Sequence, residues 1–223
     1  DCSGKNLSVP KLNKFFAKKV KKVIVSTPVI GLGVKNIVMG VNEIEYSASE
    51  NNLITASSCT TNCIAPIVKI IHEKFKILKG QITTIHDLTN TNVTLDQHHK
   101  DLRRARSSLI SMHPTTTGSA KAIGLIFPEL EGKLNGHAVR VPVLNSSLTD
   151  CVFLVSKKTS KEEVNNFFDE ASKNELKGIL GIEYNPLVSV DFLDDTRSSI
   201  IDAESTMVTD GTLIKIYSWY DNE

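Results

Sequence analysis

The chain has 223 residues, of which 40% are hydrophobic and 23% are charged, and these values exclude wholesale disorder. Lys and Arg total 26 against 25 for Asp and Glu, so the net charge of +1 favours neither a nucleic acid nor an anionic membrane as a partner. No apolar run approaches the roughly 18 residues that span a bilayer. The 4 cysteines form no C-x-x-C pair, which predicts free thiols, a reducing cytoplasm and no structural zinc.

The first part of the chain has the pattern of the end of an α/β sheet. Apolar residues at helical spacing predict a helix over residues 9–20. Apolar runs predict buried strands over 23–26 and 36–41, and a polar stretch predicts a loop over 43–52. A helix beside strands within so short a segment is typical of α/β architecture.

The rest of the chain has mostly strands, with few helices between them. Helical spacing predicts a second helix over 60–74, kinked by Pro66 in its early turns. A third helix is predicted over 161–172, with Ser160 and Glu163 forming a capping box at its start. This succession predicts an α+β domain on a mixed or antiparallel sheet. The predicted strands cover residues 80–86, 137–155, 186–192, 198–202 and 213–219.

The sharpest motif is A-S-S-C-T-T-N-C at residues 56–63, which places Cys59 where a strand gives way to the second helix. Unpaired backbone N–H groups and the helix dipole at such a position stabilise a thiolate. Cys59 therefore has two interpretations, a reactive nucleophile or a buried structural cysteine. Cys63 lies one turn later and is expected to face the same way, but no nearby His or Asp completes a metal site with it.

A thiolate that attacks a carbonyl group needs a base or an acid nearby. The chain has 6 histidines, and His86 is the strongest candidate because it ends the predicted strand Q-I-T-T-I-H. Strand ends are where the sites of α/β and α+β proteins tend to lie. The alternative is a histidine that satisfies its hydrogen bonds at the edge of the sheet and has no chemical role.

Three further features could bind anions. H-K-D-L-R-R-A-R at residues 99–106 concentrates guanidinium groups, which grip phosphate with paired hydrogen bonds, although a solvated helix face has the same pattern. P-T-T-T-G-S-A-K at 114–121 predicts a hydroxyl-rich turn into a helix, whose N–H groups could hold a second phosphate. Arg140 interrupts an apolar strand, either as a ligand-binding residue or as a partner in a buried ion pair.

A thiol nucleophile, a histidine and separate anion sites together imply a small phosphorylated carbonyl compound as the substrate. Thiol addition to an aldehyde gives a thiohemiacetal, and the oxidation of a thiohemiacetal requires a hydride acceptor. The resulting thioester could then be cleaved by water or by phosphate.

S-C-T-T-N-C at residues 58–63 is one of several blocks that point to a known family. The others are H-K-D-L-R-R-A-R, P-T-T-T-G-S-A-K-A, L-N-G-H-A-V-R-V-P, L-K-G-I-L-G and S-W-Y-D-N-E. In order and spacing, and over essentially the whole chain, these blocks resemble the glyceraldehyde-3-phosphate dehydrogenase family. The resemblance implies a cytoplasmic oxidoreductase of glycolysis that uses NAD or NADP. It also implies a small phosphorylated aldehyde and inorganic phosphate as substrates, and a homotetramer when the protein is full length.

The resemblance also implies roles for individual residues. Cys59 matches the nucleophile, and His86 matches its general base and acid. Arg140 and Thr89 match residues that hold the substrate's own phosphate, and Arg104 matches the arginine between the two anion sites. The residues that match the inorganic phosphate site are Ser58, Thr60, Thr117 and Gly118. The residues that match cofactor contacts are Ser3, Gly4, Ser26, Thr27 and Asn222.

Two domains follow from the same resemblance. Residues 1–58 are expected to be the C-terminal part of a Rossmann-type dinucleotide-binding domain, whose glycine-rich N-terminal part would precede Asp1. Residues 59–223 are expected to form the catalytic domain, an α+β fold on a mixed, largely antiparallel sheet, without the family's final helix. Asn222, near the end of the chain, matches the asparagine that hydrogen-bonds the nicotinamide carboxamide.

The sequence departs from the family pattern at several positions. Thr91 stands where many members have Asp, close to the implied site for the substrate's phosphate. The block N-S-S-L-T-D-C-V-F, with its neighbours, resembles a bacterial branch associated with arsenate resistance. One alternative function is therefore an arsenate-using enzyme that makes 1-arseno-3-phosphoglycerate. Another is a non-catalytic binding protein that kept the fold.

Overall fold

The computed structural model describes residues 1–222, so the last residue of the domain predicted over 59–223 lies outside the described part. No helix in residues 1–222 is both long and apolar enough to cross a membrane. The helices are α1 (Val9–Phe16), α2 (Cys59–Phe75), α3 (Ser119–Ile126) and α4 (Lys161–Lys173). The strands are β1 (Val23–Val25), β2 (Val34–Asn36), β3 (Leu53–Thr55), β4 (Ile77–His86), β5 (His113–Thr116), β6 (Leu134–Arg140), β7 (Ser147–Val155), β8 (Leu180–Glu183), β9 (Ser199–Asp202), β10 (Met207–Thr209) and β11 (Leu213–Tyr220).

A small sheet is formed by the first three strands, in the order β1, β3, β2, and both strand pairs are parallel. Helix α1 places Leu12 in an apolar cluster with Val25, Val29 and Leu53. Parallel strands that share a core with a helix are the arrangement of α/β proteins, as the sequence of this part predicts.

A large mixed sheet forms the rest of the fold. Its strand order is β5, β6, β4, β7, β11, β9, β8, and β10 pairs with the free part of β11. The pairs β4–β6 and β8–β9 are parallel, whereas the remaining pairs are antiparallel. The sheet is therefore mixed and largely antiparallel, as predicted. Because β4 and β6 are parallel neighbours, the residues at their carboxyl ends meet at one edge of the sheet.

Helix α2 packs against the large sheet and fills the centre of the core. Its N-cap is Ser58, whose side-chain oxygen accepts a hydrogen bond from the backbone N–H of Thr61 at 3.2 Å. The side chains of Ile64, Ile67 and Ile71 are fully buried, and burial of such a side chain contributes about 1.5–3 kcal/mol. This anchoring fixes the first turn of α2 against the sheet edge.

The predicted helix over 9–20 is shorter in the structure and ends at Phe16. Lys19 has a left-handed backbone conformation with φ of 65°, which the chain cannot adopt inside a right-handed helix. The lysine-rich continuation is exposed, so no buried face extends the helix. The strand predicted over 23–26 is present as β1 and ends one residue earlier, at Val25.

The strand predicted over 36–41 is wrong in position. Strand β2 ends at Asn36, and turns follow it. Gly40 lies in these turns with φ of 77°, and a side-chain carbon at this position would come within 2.7 Å of Leu176. The glycine thus lets this part of the chain approach Leu176 closely.

The predicted strand over 137–155 is two strands, β6 and β7, separated by a reversal in which Ser146 has φ of 67°. The strand predicted over 186–192 is wrong, because this segment contains a short 3-10 helix at Ser189–Phe192. The Asp191 carboxylate caps that helix by accepting a hydrogen bond from the Val188 N–H at 2.9 Å. The sequence did not predict the short strands β5, β8 and β10, which lie at or near the edges of the sheet.

Candidate active site

A cleft of about 360 Å³ opens where the first turn of α2 meets the carboxyl ends of β4 and β6. Its other wall contains the start of α3 and residues Pro28, Ile30 and Asn36 from the first part of the chain. Most of the residues to which the sequence assigned a role lie together in this cleft. They are Ser58, Cys59, Thr60, His86, Thr89, Thr117, Gly118, Arg140 and Asn222.

Cys59 is the first residue of α2 and is partly exposed in the cleft. Its Sγ atom lies 3.8 Å from Nε2 of His86 and 3.9 Å from Oγ1 of Thr60. The unpaired N–H groups of the first helical turn favour negative charge on the sulfur. Cys59 therefore has the accessibility and the partner that a nucleophilic thiol requires.

Cys63 does not face the cleft, contrary to the expectation from its spacing. It is fully buried, and its Sγ atom lies 3.4 Å from Oγ1 of Thr149 in the core. Burial raises the pKa of the Cys63 thiol, and the neighbouring hydroxyls of Thr149, Ser199 and Ser218 only partly offset this effect. Cys63 is therefore held as a neutral thiol.

His86 lies at the end of β4, with its ring almost completely buried. Nδ1 lies 3.0 Å from the carbonyl oxygen of Asp87 and 2.6 Å from its Oδ1, whereas Nη1 of Arg140, which can only donate, lies 2.8 Å from the same nitrogen. When Nδ1 carries the proton, the lone pair of Nε2 faces the Cys59 sulfur. Burial lowers the pKa of His86, but the contacts with Asp87 and Cys59 together outweigh burial and raise it.

Arg140 lies at the end of β6, in register with His86 on β4. Its Nη1 is 2.8 Å from Nδ1 of His86. Burial, assisted by the nearby positive charge of Arg104, lowers the pKa of Arg140. Two guanidinium groups that repel each other beside a cleft make the binding of an anion there favourable.

Arg104 does not line the cleft itself but is linked to it through two threonines. Its Nη1 donates a hydrogen bond to Oγ1 of Thr91 at 2.7 Å, and that oxygen lies 2.9 Å from Oγ1 of Thr89. The Asp101 carboxylate lies 3.6 Å from Nε of Arg104 and is partly exposed. The segment 99–106 forms turns and not the helix face considered as an alternative.

Thr117 and Gly118 precede α3, and Gly118 is the N-cap of that helix. The side chain of Thr117 accepts a hydrogen bond from the Ser119 N–H at 3.3 Å. The cleft therefore has helix N-termini on two sides, at α2 and at α3, and both favour anions.

The predicted cofactor contacts divide into two groups. Asn222 lines the cleft, and its backbone N–H donates to Oδ1 of Asn145 at 3.0 Å. The structure does not bring Ser3, Gly4, Ser26 or Thr27 into the lining, although Pro28 next to Thr27 lies there. The lining of the cleft contains the apolar side chains of Pro28 and Ile30 together with the amides of Asn36 and Asn222. No group of three or more His, Cys, Asp or Glu residues within residues 1–222 is arranged to hold a metal ion.

Tyr220 and Asp87 belong to the site although the sequence analysis did not single them out. The hydroxyl of Tyr220 lies 2.8 Å from Oγ1 of Thr60, and its ring meets the ring of His86 edge to face at 6.1 Å. Burial raises the pKa of Tyr220, so the hydroxyl keeps its proton. Asp87 could have been proposed as a site residue from the sequence, because it directly follows His86. Tyr220 stands in the block S-W-Y-D-N-E, but its contact with Thr60 depends on the pairing of β11 with β7, which the sequence does not show.

A helix-start thiol lies beside a buried imidazole, with two guanidinium groups close by, and such a set of groups is suited to nucleophilic chemistry on an anionic compound. The family described as "Glyceraldehyde 3-phosphate dehydrogenase, C-terminal domain" matches residues 58–222. The chain therefore belongs to the glyceraldehyde-3-phosphate dehydrogenase family.

Individual relatives agree with this assignment. "Glyceraldehyde-3-phosphate dehydrogenase 3" of Nostoc sp. is 58% identical over 224 aligned positions, which cover 100% of this chain and 66% of the relative. "Glyceraldehyde-3-phosphate dehydrogenase 1" of Bacillus cereus is 52% identical over 210 positions, covering 94% of this chain and 63% of the relative. "Glyceraldehyde-3-phosphate dehydrogenase A, chloroplastic" of Scenedesmus vacuolatus is 46% identical, covering 99% and 70%. The chain thus spans slightly less than two thirds of the length of the first two relatives.

Proposed function

We propose that the protein oxidises glyceraldehyde 3-phosphate to an acyl phosphate, with transfer of hydride to NAD or NADP. The observation that carries this proposal is the 3.8 Å contact between Cys59 Sγ and His86 Nε2, beside the guanidinium of Arg140. The pair supplies a nucleophile and a proton carrier, and Arg140 supplies a charge that matches a phosphate ester. The three relatives above carry the name of this dehydrogenase, and their names support neither the arsenate-using enzyme nor the non-catalytic protein.

In the first step, the Cys59 thiol passes its proton to Nε2 of His86, and the sulfur adds to the aldehyde carbon, so that a C–S bond forms as the π bond of the carbonyl breaks. The carbonyl oxygen takes the proton that His86 holds on Nε2, giving a thiohemiacetal. The adjacent N–H groups at the start of α2 stabilise negative charge on the sulfur and on the oxygen as it develops.

In the second step, the thiohemiacetal loses hydride from carbon and becomes a thioester. The nicotinamide cofactor, when bound, accepts that hydride. His86 takes the hydroxyl proton at Nε2 as the C=O bond forms again, so the same nitrogen acts first as an acid and then as a base. We propose that Asn222, Pro28 and Asn36 form the surface that orients the nicotinamide ring towards Cys59.

In the third step, inorganic phosphate attacks the thioester carbon. The C–S bond breaks, the Cys59 thiolate leaves, and the acyl phosphate forms. We propose that Ser58, Thr60, Thr117 and Gly118 hold the attacking phosphate. Arg140 and Thr89 are proposed to hold the phosphate that the substrate already carries, and Arg104 to serve both anions.

The domain organisation proposed for the protein follows the same family. Residues 1–58 are proposed to be the C-terminal part of a Rossmann-type dinucleotide-binding domain, and residues 59–223 the catalytic domain. The parallel order β1, β3, β2 supports the first proposal, since dinucleotide-binding domains have parallel sheets. Ser3, Gly4, Ser26 and Thr27 are proposed to contact parts of the cofactor beyond the nicotinamide. The assembly is proposed to be a homotetramer in the cytoplasm.

The decisive experiment compares Cys59→Ser with Cys2→Ser in an assay that follows phosphate-dependent reduction of NAD and of NADP. Cys59→Ser should lower turnover by several powers of ten while the protein stays folded, because an alcohol is a far poorer nucleophile than a thiolate. Cys2 is exposed and outside the cleft, so Cys2→Ser should retain the wild-type rate. Turnover of Cys59→Ser within tenfold of wild type would refute the proposal.

A further inference from the structure

His113 is a buried histidine to which the proposed reaction gives no role. It begins β5, and only 3% of its surface is exposed. Neither of its ring nitrogens has a hydrogen-bond partner within residues 1–222. A neutral imidazole has one nitrogen that accepts and one that donates, and leaving both unpaired in a buried site costs free energy.

The position of His113 is set by strand register. His113 pairs directly with Arg140 across the antiparallel strands β5 and β6, and Arg140 pairs directly with His86 across the parallel strands β6 and β4. Directly paired residues point to the same face of a sheet, with Cβ atoms about 4.5–5.5 Å apart. The three side chains therefore form one row, with Arg140 between two imidazoles.

Arg140 has an unsatisfied donor of its own in this row. Its Nη1 lies on the side of His86, 2.8 Å from Nδ1, and donates to the carbonyl oxygen of Asp87 at 3.4 Å, whereas its Nε is buried and has no partner within residues 1–222. In a guanidinium group, the Nε–H bond and Nη1 lie on opposite sides of the Nε–Cζ bond. The unsatisfied donor therefore points away from His86, and since Nε is buried, a substrate in the cleft cannot reach it.

We infer that His113 is a positioning residue for Arg140, and that one bridging water accepts the Arg140 Nε–H and donates to a ring nitrogen of His113. This pairing satisfies a buried donor and a buried acceptor that lie side by side and otherwise have no partner. With His86 on one side and His113 on the other, the guanidinium is fixed in the plane in which Nη1 and Nη2 can meet a phosphate. The functional consequence rests on the proposed function, whereas the contact itself does not.

The contact can be tested without turnover, by NMR of the Arg140 Nε–H in the wild-type protein. Arg140→Lys identifies the signal by removing it. We expect an Nε–H that exchanges slowly with water, that exchanges fast in His113→Leu, and that is again protected in His113→Gln, whose amide oxygen can accept. An Arg140 Nε–H that exchanges rapidly in the wild type, or equally slowly in His113→Leu, would overturn the inference.

The consequence is tested by kinetics on the same variants, with His137→Leu as the matched control because His137 is exposed on β6. His113→Leu should raise KM for the phosphorylated aldehyde roughly three- to tenfold, the effect of losing one hydrogen bond, with little change in kcat. His113→Gln and His137→Leu should stay near the wild type, and glyceraldehyde without phosphate should show no difference. Equal losses in His113→Leu and His113→Gln, or with both aldehydes, would mean a purely structural role and overturn the inference.

If the wild type shows the protected Nε–H but no dehydrogenase activity, the proposed function fails and the positioning contact stands.

Discussion

Nη1 of Arg140 lies 2.8 Å from Nδ1 of His86, so that a guanidinium and an imidazole meet side by side at the ends of two parallel strands. The positive charge of Arg140 opposes protonation of His86, whereas Asp87 and Cys59 favour it. The proton affinity of His86 is thus a balance between burial and Arg140, which lower it, and Asp87 and Cys59, which raise it. Substitutions at His86 and at Arg140 should therefore have measurable effects on turnover, on thiol reactivity and on stability.

Substitution of His86 by Asn should slow turnover by about 10²–10⁴-fold, the usual contribution of a general acid–base residue. It should also slow alkylation of Cys59 by iodoacetamide, because the sulfur loses the imidazole at 3.8 Å that can take the thiol proton. His98→Asn is the control, since His98 is exposed and outside the cleft. An alkylation rate in His86→Asn equal to that of the wild type would contradict the pairing.

The stability of the protein should depend on pH through His86. The folded state raises the pKa of His86 above its ordinary value, so the folded protein binds this proton more tightly than the unfolded chain. The resulting stabilisation is complete below about pH 6.5, the ordinary pKa of histidine, and is lost as the pH rises through the raised folded-state pKa. Urea unfolding of the wild type and His86→Asn should therefore show a difference in unfolding free energy that shrinks as the pH rises above the ordinary pKa of histidine, about 6.5. A difference that grows with pH would mean that folding lowers the pKa of His86 and would contradict the prediction.

Substitution of Arg140 by Ala should remove a charge-assisted hydrogen bond to the substrate's phosphate. Such a bond contributes about 1.5–3 kcal/mol, which corresponds to a loss of roughly 10–150-fold in kcat/KM. The loss should largely disappear when glyceraldehyde replaces its phosphate ester. Arg106→Ala is the control, because Arg106 is exposed and paired with Asp96 at 3.0 Å. Equal losses with both aldehydes would make Arg140 structural.

Substitution of Thr91 by Val should weaken anion binding although Thr91 is not expected to touch the substrate. The hydroxyl of Thr91 holds Arg104 at 2.7 Å and lies 2.9 Å from the hydroxyl of Thr89. Its loss should raise KM for the phosphorylated aldehyde or for phosphate about three- to tenfold, the effect of one or two hydrogen bonds, and leave kcat nearly unchanged.

Thr91→Ser, which keeps the hydroxyl, should restore the wild-type values. Thr94→Val is the matched control, because Thr94 is an exposed threonine of the same loop outside the cleft. If Thr91→Ser were as impaired as Thr91→Val, the hydroxyl would not be the important group.

Local chemistry let the sequence predict several features correctly. Helix α4 begins at Lys161 after the predicted cap Ser160, which accepts the Glu163 N–H at 3.2 Å, although the Glu163 carboxylate binds Thr159 and not the cap backbone. The strand before Cys59 and the helix after it were equally readable, because an apolar run, a polar cap and helical periodicity are all properties of neighbouring residues. The position of His86 at a strand end followed from the same kind of signal.

What the sequence by itself determined was the set of local elements and, through the resemblance of its motifs, the family and the residues expected in its site. The tertiary structure alone decided which of these residues meet. Arg140 lies 54 positions from His86 and Tyr220 lies 160 positions from Thr60, and only the register of β6 and β11 in the sheet brings each pair together. Register depends on the packing of the whole sheet against α2, which no local pattern encodes. The turns after Asn36 escaped prediction for the same reason, since Gly40 is required there by its close approach to Leu176 in a distant part of the chain.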